Sequence, residues 1–122
     1  MKSIYNILKD KELVIETLSN TISPNEYSNL KVKEFQDKKF SRTYNLITDL
    51  SSFGNSNDAN KIEELFVVFK ENKGKYIRNK SALIISNSNL LKIVNAIIKK
   101  DKKIYKEIKT FSSIEDAQQW MQ

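Results

Sequence analysis

The chain has 122 residues, 39% of them apolar and 30% charged, with a formal net charge of +6. That composition suits one globular domain that buries about two-thirds of its unfolded surface. It contains no cysteine and no histidine, which excludes disulfides, thiolate and imidazole metal sites, Ser-His and Cys-His nucleophiles, and histidine proton transfer near neutral pH.

Residues 4–8 and 13–18 are apolar-rich stretches separated by the charged Lys9-Asp10-Lys11-Glu12, the pattern of an antiparallel hairpin. Ser23-Pro24-Asn25-Glu26 then sets a capping hydroxyl, a proline at the first helical position and a glutamate three after the serine, so a helix is expected from there to about Lys39. Its apolar positions, Tyr27, Leu30 and Phe35, are only loosely periodic. Residues 43–50 alternate in the manner of a strand that ends at an acidic turn over 51–57. Beyond the turn, Ile62, Leu65, Phe66 and Phe69 fall at i, i+3, i+4 and i+7, one apolar stripe of a helix ending near Gly74.

The run Ser81-Ala82-Leu83-Ile84-Ile85-Ser86 reads as a central strand covered on both faces. Leu90, Ile93, Val94, Ile97 and Ile98 mark the next amphipathic helix, followed by the lysine-rich residues 99–103. A last strand is expected in the second half of residues 104–111, and Ser112-Ser113 with Glu115 and Asp116 open a terminal helix that carries Ala117, Trp120 and Met121. Trp120 is there either a packing anchor or a contact residue. The order β-β-α-β-α-β-α-β-α predicts a single α/β domain over residues 1–122, its sheet mixed but mostly parallel, with an antiparallel first strand at or near an edge.

Two segments carry a resemblance. Tyr44-Asn45-Leu46-Ile47-Thr48-Asp49-Leu50-Ser51 looks like a strand ending in aspartate, and Phe111-Ser112-Ser113-Ile114-Glu115-Asp116-Ala117-Gln118-Gln119-Trp120-Met121 closes the chain with phenylalanine, paired acids, alanine and tryptophan. In both, the chain resembles bacterial STAS-like domains, the fold of the anti-anti-sigma factors, which are related to the CRAL-TRIO lipid-binding fold. The resemblance implies a regulatory or protein-interaction module; the CRAL-TRIO kinship implies, as the alternative, a carrier of a lipid or other small apolar ligand. Anti-anti-sigma factors are switched by phosphorylation at Asp-Ser-Ser-Gly, where this chain has Gly54-Asn55-Ser56-Asn57-Asp58. The switch is therefore not carried over.

No set of residues stands out as catalytic, and no cofactor or metal is expected. Asp49, Ser51, Ser56 and Asp58 form the candidate rim for a ligand or partner, at the strand ends where open α/β sheets bind. Asp49, Asp58, Glu115 and Asp116 could gather around a hard cation, or stand where helix dipoles favour acids. Lysines and arginines after the first three helices, among them Lys38, Lys39, Arg42, Lys75, Arg78 and Lys100, are expected at the opposite edge. That basic rim could meet nucleic acid or an anionic surface, or be solvated; only two of its residues are arginine, and no aromatic-interleaved recognition motif accompanies it. Gly54 and Gly74 stand alone, so no phosphate-cradling loop is expected. No apolar run approaches the ~20 residues of a membrane span, and residues 1–10 lack the apolar stretch of a signal peptide. The expectation is a cytoplasmic, non-catalytic protein with a protein partner or a second copy of itself.

Overall fold

A computed structural model describes residues 2–54, 58–76, 80–102 and 107–122. Five strands, β1 (Ile4–Leu8), β2 (Leu13–Thr17), β3 (Asn45–Asp49), β4 (Ser81–Ile84) and β5 (Ile108–Phe111), lie side by side in chain order. β1 runs antiparallel to β2, and every later pair is parallel. The expected α/β order, mixed sheet and edge position of the first strand are all present. The hairpin turns through Lys9–Lys11 and closes at Glu12, whose φ of 51° is the one left-handed non-glycine conformation among the described residues.

Helices α1 (Pro24–Gln36), α2 (Ala59–Asn72) and α3 (Ser88–Lys100) connect the parallel strands, and α4 (Ile114–Met121) follows β5. Each N-terminus is capped from the sequence. Ser23 and Glu26 complete the reciprocal capping box of α1, Asp58 accepts from the Lys61 N–H, Asn87 from those of Asn89 and Leu90, and Ser113 from that of Asp116. The first helix stops at Gln36, three residues short of Lys39, because Asp37 turns to an extended conformation with ψ 132°.

Alternation along the strands divides the core in two. Val14, Leu46 and Leu83 face α1, α2 and α3, where they meet the expected stripe of Ile62, Leu65, Phe66 and Phe69 together with Leu90 and Val94. Leu13, Ile47, Ala82 and Ile84 face the other way, toward Ala117 of α4, with Trp120 and Met121 packed alongside. Three helices thus cover one face and a single eight-residue helix covers part of the other, lying over β3, β4 and β5. No helix among the described residues is long and apolar enough to cross a membrane.

Candidate functional site

The rim at the C-terminal ends of the strands is built from local hydrogen bonds. Asp49 ends β3, and its Oδ1 accepts from the Ser51 N–H at 2.9 Å and from the Ser51 hydroxyl. The chain then makes one tight turn, Ser51–Phe53, which buries Phe53 and ends at Gly54, whose φ of 56° and ψ of −128° suit glycine. The Ser52 hydroxyl donates to the carbonyl of Leu18, and the Lys61 ammonium to that of Asn20, so the ends of β2, β3 and α2 are stitched together.

Asp49 and Ser51 are therefore brought together, whereas Asp58 uses its carboxylate on its own helix at 3.1 Å from the Lys61 nitrogen. Ser56 lies outside the described residues. Glu115 and Asp116 belong to the first turn of α4, on the other face of the sheet. Among the described residues no three acids converge as a metal site would require. Helix capping and the dipole account for where these acids stand.

At the opposite edge, the Arg42 guanidinium donates to the carbonyls of Lys75 and Gly74 at 3.3 and 3.5 Å, which joins the loop after α1 to the turn after α2. Several of the basic residues are engaged. Lys75 sits 4.8 Å from the centre of the Phe35 ring, and Lys80 donates to the Trp120 carbonyl at 3.0 Å. Lys70 and Lys100 make exposed ion pairs with Asp101 and Glu63. Arg78, Lys103 and Lys106 lie outside the described residues.

The most polarised group of side chains is neither rim but the middle of the larger core. Glu16 of β2 and Lys31 and Glu34 of α1 are all buried. The parallel register sets Glu16 beside Thr48 on the face that meets α1. The Lys31 ammonium lies 2.5 Å from Glu16 Oε2 and 3.5 Å from Glu34 Oε1. Tyr27 and Thr48 donate their hydroxyls to Glu16 Oε1 at 2.9 and 3.0 Å, and Tyr76 donates to Glu34 Oε1 at 3.3 Å. The rings of Tyr76, Tyr27, Phe35 and Phe69 surround the ammonium at 5.4 to 5.9 Å, close enough for each to attract it.

Two carboxyls and one ammonium in so dry a place cannot all be charged. Burial pushes the Glu34 carboxyl up to about 10, reinforced by the negative charge of Glu16. Burial acts on Glu16 in the same sense, but the Lys31 ammonium and the hydrogen bonds from Glu34, Lys31 and Tyr27 outweigh it and hold this carboxyl below its ordinary value. The same burial, with the carboxylates beside them, raises the Tyr27 and Tyr76 phenols. The cluster is thus Glu16 ionised, Lys31 charged and Glu34 carrying a proton, neutral in total.

Sequence reading passed over this cluster, although its trace was there. The gaps in the loose stripe of α1 are filled by Lys31 and Glu34, four and seven residues after Tyr27, and Glu16 interrupts an apolar run. The space beside the cluster, lined by Lys31, Tyr76 and Ser81 among others, measures only about 10 Å³. A second void, walled by Leu18, Tyr27, Phe66 and neighbouring apolar residues of the same core, measures about 20 Å³, near the volume that one water occupies. Comparison with family models, curated proteins and solved structures finds no match for this chain.

Proposed function

We propose that this chain is a non-catalytic regulatory or interaction module of STAS-like type, which engages a protein through the open side of its sheet. The observation that carries the reading is β1. It is an edge strand of five uncharged residues, Ile4-Tyr5-Asn6-Ile7-Leu8, with Ile4 49% exposed, at the end of the sheet away from β5. An edge of that kind pairs readily with another chain.

The STAS-like assignment rests on the two segments given above. The bacterial cytoplasm is the setting that comes with it. Voids of 10 and 20 Å³ in the helix-covered core leave little room for a lipid, which favours interaction over carriage.

Native mass spectrometry and light scattering on the purified protein, alongside affinity purification from its native cell, test the reading. The expected result is a self-assembled species or a stoichiometric protein partner. A monomer that retains an extractable apolar molecule would overturn it in favour of a carrier, and a monomer that binds neither would also overturn it.

A further inference from the structure

The two edges of the sheet are protected unequally. β5 is four residues long, carries Lys109 within it, and leans on α4, where Lys109 and Lys80 each stand 5.2 Å from the Trp120 ring centre. A charged residue on the edge and a short strand are devices that discourage pairing. β1 has neither a charge nor a proline, and the described backbone shows no bulge in its register with β2. It is also held firmly in place for docking, because the Tyr5 hydroxyl donates to the Asp37 carboxylate at 2.9 Å, with the Lys33 carbonyl 3.3 Å away, which fastens the strand to the end of α1.

We infer that the partner of β1 is a second copy of β1, paired antiparallel about a two-fold axis through Asn6. The inference rests on the interaction reading and names its partner. The register argues for a second copy, because reversing the strand about Asn6 places Ile4 opposite Leu8 and Tyr5 opposite Ile7. Each apolar residue of the strand meets an apolar or aromatic one, twice over by symmetry. Ile4 and Leu8 share a face with Leu13, Ile15 and Thr17 of β2, and Leu8, Leu13 and Ile15 belong to the core cluster under α4 while Ile4 stands exposed, so the pairing would extend that core across the axis. The two sheets become one continuous sheet.

A chain without cysteine offers a direct test. Across the axis the two Asn6 side chains are directly opposed, with Cα atoms about 4.5 to 5.5 Å apart, which is within disulfide range. Asn6→Cys alone is expected to form a covalent dimer on mild oxidation, and Ile4→Cys is expected to cross-link with Leu8→Cys when the two variants are mixed. Ile4→Cys alone should not, since its two copies stand four residues apart along the strand, about 13 Å. Ile4→Lys should weaken dimerisation at least tenfold in sedimentation equilibrium while leaving the circular dichroism unchanged.

Absence of the Asn6→Cys dimer, or a dimer that survives Ile4→Lys unweakened, overturns the inference. If affinity purification nevertheless returns a different protein bound in stoichiometric amount, the interaction reading stands and only the second copy falls. If it returns none and the protein is monomeric, both fall.

Discussion

Acidic side chains serve opposite ends of this molecule in opposite ways. Asp49 and Asp58 at the rim each satisfy a backbone N–H two or three residues along the chain, in contact with water. Glu16 and Glu34 lie in the core, where their partners come from β2, α1, β3 and the segment after α2. The rim acids answer a local need that any helix or turn start presents. The core acids exist as a set, and removing one member changes what the others cost.

The largest expected effect follows from that dependence. Lys31→Met would leave the Glu16 carboxylate buried without its cation, and should destabilise the fold by about 3–5 kcal/mol. Urea unfolding measures it; a loss below about 1 kcal/mol would mean that the cluster is not held by charge. Replacing all three, with Glu16→Leu, Lys31→Met and Glu34→Leu together, should recover part of the loss, because an apolar trio of similar volume has no charge to desolvate, although it leaves the hydroxyls of Tyr27, Thr48 and Tyr76 without their acceptors.

The shared proton adds a pH dependence. Glu34 is raised from an ordinary 4.5 to about 10, so between those values the folded state holds a proton that the unfolded chain releases. Its contribution is complete below about 4.5 and is lost as pH rises toward 10, with a limiting slope of about 1.4 kcal/mol per pH unit. Glu16, held below its ordinary value, acts in the reverse sense and loses its contribution as pH falls. Glu34→Gln mimics the protonated acid and should flatten the alkaline limb. Urea midpoints at pH 6 and pH 9 decide it: equal falls in parent and variant would remove Glu34 as the source.

The same contrast explains what could be read from the sequence. Every strand and helix was legible, because period-two and period-3.6 patterns and the caps Ser23 and Ser113 depend on residues a few positions apart. At the rim the contact of Asp49 with Ser51, two residues apart, is local in this way; Asp58 caps its own helix, and Ser56 lies outside the described residues. The cluster was not legible, since Lys31 and Glu34 on a helix surface look like an ordinary solvated pair until β2 supplies Glu16 and the chain near residue 76 supplies Tyr76. Glu16 gave a hint by breaking an apolar run, but nothing local says which helix crosses above it. The same limit applies to β1: its apolar pattern is readable, whereas its place at an unprotected edge follows only from the strand order.

At the rim the effects should be smaller. Asp58→Ala removes the cap of α2 and should cost about 1 kcal/mol, an amount typical of such caps, with no change in pH dependence between 6 and 9. A loss of 3 kcal/mol or more would mean that Asp58 has partners beyond its own helix.

Asp49→Ala should cost less again, about 0.5–1 kcal/mol, because the Ser51 N–H it leaves free can turn to water. The backbone bond that ties β2 to β3 here, from the Leu18 N–H to the Asp49 carbonyl, does not involve the side chain. Asp49→Asn separates two explanations of the position. The amide oxygen can still accept from the Ser51 N–H, so stability should stay within a few tenths of a kcal/mol of the parent if the acceptor is what matters. If Asp49→Asn instead costs as much as Asp49→Ala, the negative charge itself is needed. The rim would then share with the core the property that distinguishes the two.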